Sequence, residues 1–399
     1  DAVAIGHDAG RYSQNNYSVA IGTSAGRSAQ SSFAVALGVN AGNLSQGYSS
    51  VAIGNGAGLY EQKQLSVAIG VEAGLSYQSS YAVAVGYDAG YDSQGSYATA
   101  VGYRAGCLGS NAYTTNVGSF AGDTGQYLGA IAVGVDAGKY YQNTYATAVG
   151  SAAGATGQQA YAIAVGVNAG RIQQQDSAVA IGNTTGYCQQ GVASVAIGVN
   201  SGNSGQARQC VAIGDAAGKY GQNVYSVAIG LETARDGQGE VAVAIGSNAG
   251  GRQQGGRCIA IGDYAGNCVQ TSSAIAIGHV AGRTSQGENS IAIGKSAGDN
   301  SQGYNCVAIG VDCATVSQGH NSVAIGDRAG HSNQSSYATA VGFVAGHNSQ
   351  GEAASAFGYS AGSNVQQTGA TALGAHAGET SQLAYAVGVG YNAGQTGQG

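Results

Sequence analysis

The sequence predicts an all-β protein, a parallel β-solenoid (β-roll) of about 25 coils with 16 residues in each. Three observations carry that expectation. A Val-Ala-Ile-Gly skeleton returns every sixteen residues, from Val3 through Val19, Val35 and Val51 to Val387, making 25 units without an insertion or deletion. Two glycines recur in each unit, and each would cost a helix roughly 1 kcal/mol, so helix is excluded. The composition is also unlike that of an ordinary globular enzyme. Gly supplies 71 residues, Pro, Met and Trp are absent, and 9% of residues are charged, against roughly 25% in a typical domain. A fixed period of this kind marks a repeat architecture. One coil cannot close a core alone, so coils must stack, each strand pairing in parallel with its copy one turn along.

The positions of a unit are numbered 1 to 16 from Val3. Positions 1 to 3 read as a strand. The β-branched residues at 1 and 3 share one face, expected to fill the coil interior, which turns the Ala at position 2 outward. Position 2 is Ala in every unit except at Asn116 and Gly388. An outward residue this constant is expected to lie against another copy of the chain, or else beneath its own chain's turn. Position 4 is Gly in all 25 units, from Gly6 to Gly390, which predicts a strand-ending turn with positive φ or close backbone approach. Position 7 is Ala in 21 units, with Thr185, Ser201, Thr233 and Cys313 departing, and position 8 is Gly except at Ala234 and Ala314. Position 12 is Gln in 24 units, from Gln14 to Gln398, with Ser110 the exception. Like stacked over like, these amides are expected to form a hydrogen-bonded ladder along the axis.

A single inserted residue would reverse the faces of a strand, so constant unit length is what a stack requires. The repeat therefore reads as one continuous region, 1–399, on the order of 120 Å long at about 4.8 Å per coil. Two aliphatic side chains per coil bury little apolar surface against the entropy of ordering a whole unit, so association with further copies is expected. The chain lacks Met and begins and ends without a polar cap, so the expectation is a processed form or an excerpt whose native ends continue or meet another copy.

The skeleton Ser66-Val67-Ala68-Ile69-Gly70, followed by Ala73-Gly74 and Gln78, resembles the head repeats of trimeric autotransporter adhesins and the related repeats of phage and viral tail fibres. The resemblance covers the whole chain. It implies a left-handed β-roll, three chains side by side as a homotrimer, an extracellular or cell- or virion-surface location, and attachment to host surfaces or matrix proteins. It brings no catalytic residues. This chain departs from the pattern in its longer unit, its regular Gln at position 12 and its seven cysteines.

Chemistry is sparse. The 14 Lys and Arg form no run able to neutralise a row of phosphates, and no apolar stretch approaches a membrane-spanning length, so neither nucleic acid nor a membrane span is expected. Cys210, Cys258 and Cys306 share position 16 but lie three coils apart, about 14 Å at one coil per 4.8 Å, too far for a disulfide. They and Cys107, Cys188, Cys268 and Cys313 read as small buried filler, with free thiols pointing to a reducing compartment or to cross-links between chains. His331 and His347 fall at one position of adjacent coils, with no third metal ligand recurring beside them. Acidic residues at position 6, such as Asp8, Glu72 and Asp88, do not repeat as a calcium-binding roll demands. No phosphate-binding or dinucleotide motif is present, so catalytic, cofactor and metal residues are all read as none. The remaining candidates are the tyrosines of position 15, above all Tyr81, Tyr97, Tyr113, Tyr145 and Tyr161. Stacked phenols suit contact with a glycan or protein, or packing against a sister chain.

These readings converge on a non-enzymatic structural fibre or adhesin-type shaft for surface attachment or filament assembly, without cofactors and with homotrimer or filament neighbours as partners. A self-assembling extracellular filament of single chains is one alternative. An ice-binding solenoid is another, disfavoured because Thr opens a unit only at Thr99, Thr115, Thr147, Thr339 and Thr371, at a position read as inward.

Overall fold

Every regular element is a strand of three residues, and there is no helix among the described residues, 1–397 of a computed structural model. Gln398 lies outside them. The coils group into two compact units, Asp1–Asn200 and Ser201–Gly399. In the first, the strands at positions 1 to 3 stack in parallel from Val3–Ile5 to Val195–Ile197. In the second they run from Val211–Ile213 to Val387–Val389. Register is one unit throughout, Val19 opposite Val35, Ala20 opposite Ala36 and Ile21 opposite Leu37. The all-β solenoid with sixteen-residue coils is therefore the fold.

A second ladder, absent from the sequence expectation, runs along positions 10 to 12. In the second unit it is unbroken from Ser204–Gln206 to Thr380–Gln382. In the first it alternates between strands such as Tyr12–Gln14 and Leu108–Ser110 and single bridges such as Ser76 to Asp92. Two short sides thus hold each coil to its neighbours.

The structure inverts the faces expected of the first strand. Ala20, Ala36, Ala52 and their equivalents at position 2 are fully buried, while Ile69, Ile181, Ile245 and Ile325 at position 3 are exposed. The reason is space. The interior is lined by Ala at positions 2 and 7, a small residue at 16 and the Gln of 12, and these glutamines are the largest fully buried side chains. A coil this narrow has no room for Val or Ile, so the β-branched residues stand outside. The constancy of Ala at position 2 records packing under its own coil, and the argument from an outward Ala face to another copy falls.

The Gln ladder forms as expected. Gln78 donates from Nε2 to the carbonyl of Val67 at 2.8 Å in its own coil, and to Oε1 of Gln94 at 3.1 Å in the next. In the second unit the chain of amides passes from Gln222 to Gln238, Gln254, Gln270 and Gln286 without a gap. Apart from Gln126, the buried amides satisfy strand carbonyls that face the interior, which is why a polar residue is tolerated there at all.

Backbone hydrogen bonds leave each coil in both directions. In the coil beginning at Val19, the amides of Gly26, Ser28 and Ser31 donate to Ala41, Asn43 and Gln46, while those of Gly22, Ser24 and Phe33 donate back to Ile5, His7 and Asn16. Proline has no amide to donate, which excludes it from each of these donor positions. Five residues of the same coil have positive φ: Gly22 at 129°, Ser24 at 56°, Gly26 at 51°, Ala29 at 56° and Phe33 at 59°. These are the corners that bend the coil closed.

At the corner positions 6, 11 and 15 the chain tolerates residues ill suited to the left-handed region. Val241, Val269 and Val365 sit at φ 57°, 54° and 51° and are 47%, 43% and 48% exposed, so little packing opposes their replacement. Asn adopts this conformation at far lower cost than a β-branched residue. Replacing each by Asn is expected to stabilise the second unit by about 0.5–1 kcal/mol per site, read as an upward shift of the chemical denaturation midpoint. A midpoint that stays put or falls would show that these corners carry no strain.

Candidate association face

Because position 2 points inward, positions 1 and 3 present two parallel rows of Val, Ile, Leu and Thr on the outer side of the first ladder. Along Ile259–Ile261, Ile275–Ile277, Ile291–Ile293 and Val307–Ile309 the rows are wholly apolar. No charged residue occupies position 1 or 3 in any unit of the sequence. Each side chain is half-buried or exposed, and Ile261, Ile309 and Ile325 keep 36–38% of their surface accessible. Isolated exposed apolar residues are ordinary, whereas a contiguous strip of them marks a surface that meets something.

Two further rows border this strip. Position 15 carries the tyrosines singled out from the sequence, all exposed. Tyr81, Tyr97 and Tyr113 stack with ring centroids 4.8 and 5.2 Å apart and nearly parallel planes, and Tyr145 stacks on Tyr161 at 5.8 Å. The structure thus brings the first three together and the last two together, with Gly129 between the groups and the Tyr145 ring leaning over it. Stacking spends the ring faces on one another and leaves edges and hydroxyls outward. Position 5, on the other border, holds Tyr87 stacked on Tyr103 at 5.5 Å and Phe343 on Tyr359 at 5.3 Å. Sequence reasoning missed this second aromatic border; the recurrent Val and Tyr of position 5 were the signal.

Polar clusters lie elsewhere on the coil. Arg283 grips Asp299 with its Nε 2.8 Å and its Nη2 3.1 Å from the carboxylate. Burial pushes the Asp299 carboxyl up despite that partner. A notch of about 280 Å³ is walled by Glu232, Arg235, Asp236, Gly251, Arg252 and Tyr264. No group of three or more His, Cys, Asp or Glu able to hold a metal ion occurs among the described residues. No helix of the described residues is long and apolar enough to cross a membrane. The cysteines are all free thiols; Cys107, Cys210, Cys258, Cys306 and Cys313 are buried and Cys188 and Cys268 half-buried. Burial pushes the Cys313 thiol up to about 12, so it stays protonated and unreactive.

His331 and His347 stack 4.8 Å apart with a 9° interplanar angle. Burial, then the His331 ring and Arg328, hold the His347 imidazole below its usual range, against a bond with Asn348 that raises it. A histidine with a lowered folded value binds protons more readily when unfolded. Stability of the second unit is therefore expected to fall as pH drops from about 6.5 to the lowered folded value, and to stop changing on this account below it. Following the denaturation midpoint against pH in His347→Gln should show a flatter profile over that window, and an unchanged profile would sink the assignment.

No family model matches this chain, and no curated protein matches it.

Proposed function

We propose that this protein is a structural shaft that associates side by side with copies of itself, three in a parallel bundle, and serves surface attachment or fibre assembly. The observation supporting this reading is the charge-free strip at positions 1 and 3. It recurs in every unit of the sequence and exposes the residue types best suited to a dry interface. Burying it against a second and third copy also supplies the apolar contact that a core of Ala and Gln lacks. No catalytic step belongs to this reading. The exposed, variable positions of the remaining sides are left to meet a surface, glycan or matrix protein.

Ile261→Lys, Ile277→Lys and Ile293→Lys together place charges on the strip without entering the coil interior. The expected result is a native-like β spectrum with the mass in solution reduced from three chains to one. The unsubstituted chain measuring as a single chain at micromolar concentration would refute the reading.

A second reading draws on one observation. Thr99, Thr115, Thr147, Thr339 and Thr371 occupy position 1, which faces outward, so the earlier objection from an inward Thr no longer holds. An uncharged outward face carrying Thr at these five levels on a lone chain is a surface suited to ordering water as ice. That reading predicts thermal hysteresis from a monomer, and its absence removes it.

A further inference from the structure

The two border rows match each other at most levels, and we infer from this that the copies pack parallel and in register, with the position-15 border of one chain lying against the position-5 border of the next. The inference rests on the self-association proposed above and adds its geometry.

At each level the residue at position 15, just before the strand, and the residue at position 5, just after it, stand on opposite sides of the apolar strip. Within one chain the aromatic contacts run along each row, Tyr81 to Tyr97 and Tyr87 to Tyr103, and none joins one row to the other. Nothing inside the coil therefore requires the two residues of a level to agree. At most levels they agree nonetheless. Arg257 shares its level with Asp263, and Tyr81 with Tyr87. Leu65 is level with Val71, while one coil earlier polar Ser49 is level with polar Asn55.

Charge gives the sharper test. In the second unit four levels carry a charged residue at position 5: Asp215, Asp263, Lys295 and Asp327. Their level mates are Gln209, Arg257, Asn289 and Asn321, an opposite charge or an amide each time. Sliding the rows by one coil weakens the match, setting Asp215 against Tyr225, Asp327 against Tyr337 and Asn55 against Leu65, while Lys295 still meets an amide at Asn305. Val241 with Ser247, Asn305 with Val311, Tyr113 with Ser119, Tyr145 with Ser151 and Ala353 with Tyr359 are levels where the two residues differ in character.

Copies arranged around an axis parallel to their own, strips facing that axis, bring unlike borders of neighbouring copies together at equal height. A closed ring of such head-to-tail contacts is cyclic. The apolar strip, uniform along its length, cannot by itself define register. The borders supply it, since a one-coil slip in either direction separates Arg257 from Asp263 and sets Asp215 against Tyr225 or Ala193.

Two double variants of the full chain test this, because a disulfide forms only when Cα atoms come within about 7 Å. Tyr97→Cys with Tyr103→Cys places thiols on one level; Tyr97→Cys with Tyr87→Cys places them one coil apart. All three sites are exposed and leave the coil interior unchanged. Under mild oxidation, the same-level variant is expected to become a covalent multimer on a denaturing gel, at least tenfold above the native chain and the offset variant. A three-chain mass in solution with no such excess, or with the offset variant linking as well, overturns the register while leaving self-association standing. A single-chain mass overturns both.

Discussion

Gly278→Ala is expected to cost about 4 kcal/mol or more and to unfold the coils around it, whereas Gly282→Ala, four residues away, should cost about 1–2 kcal/mol. Both glycines have positive φ, 129° and 52°. What separates them is the nature of the obstacle. A Cβ on Gly278 would lie 2.5 Å from the carbonyl oxygen and 2.8 Å from the carbonyl carbon of Gly294 in the next coil, backbone held on both sides by the ladder. A Cβ on Gly282 would lie 2.8 Å from Oε1 of Gln286, the far end of a side chain that can shift. The chain carries its own control. Position 8 is already Ala at Ala234 and Ala314, with φ of 45° and 47°, both fully buried. Beside Ala234, Gln238 keeps its 2.8 Å bond to Val227. Position 4 has no such exception. Chemical denaturation of the two variants settles the matter, and equal losses would mean that backbone contact between coils is not what holds position 4 to Gly.

The second large effect concerns the one break in the Gln row. Asn116 is the departure from Ala at position 2 and Ser110 the departure from Gln at position 12, and the structure joins them: Asn116 Nδ2 donates to Ser110 Oγ at 3.2 Å, both side chains fully buried. Compared with the usual Gln and Ala, the pair keeps the same number of side-chain heavy atoms and moves an amide from one wall of the coil to the other. The disturbance reaches one coil further, where Gln126 donates to the carbonyl of Gly138 at 2.7 Å in place of its own position-1 carbonyl. By Gln142, which bonds Ile131 at 2.7 Å, the ordinary pattern has returned. Asn116→Ala alone should therefore cost about 1–3 kcal/mol, leaving a cavity and a hydroxyl without its donor. Ser110→Gln alone should cost about 1–3 kcal/mol, two amides competing for one space. Together they rebuild the common coil, and the double variant is expected to match or exceed the native stability. The coupling of at least 2 kcal/mol is the readout; simple additivity of the two losses would show that the sites do not share a space.

Much of this architecture was legible in the residues, and the parts that were not share a cause. The repeat length, the strand at positions 1 to 3, the Gly-dependent close approach at position 4 and the Gln ladder all follow from what stays constant. The orientation of the strand was misread because β-branched residues were assigned to the interior by hydrophobicity. In a coil this narrow, volume outranks hydrophobicity. The sign was present in Ser355 and Phe357, which occupy positions 1 and 3 of one strand and differ too much in size from their equivalents for a fixed interior. The ladder at positions 10 to 12 went unseen because its middle residue is left-handed, as at Ser301 with φ 56°, so no alternating pattern marks it. Of the candidate surface, the tyrosine row was legible as a row, while the strip beside it became visible only once the strand was turned over.

Because each coil bonds its neighbours through the same backbone donors and acceptors, the common coil is an acceptable neighbour for any other of its kind, the coupled coils of Ser110 and Asn116 apart. Removing residues 275–290, one whole unit, would leave Ile259 facing Ile291 with the backbone bonds of both ladders remade, at the loss of the Arg283–Asp299 pair. Length in this molecule is thus countable in whole turns, and a gene that gains or loses one repeat by unequal exchange yields a shorter or longer member of the same series with its cross-section untouched.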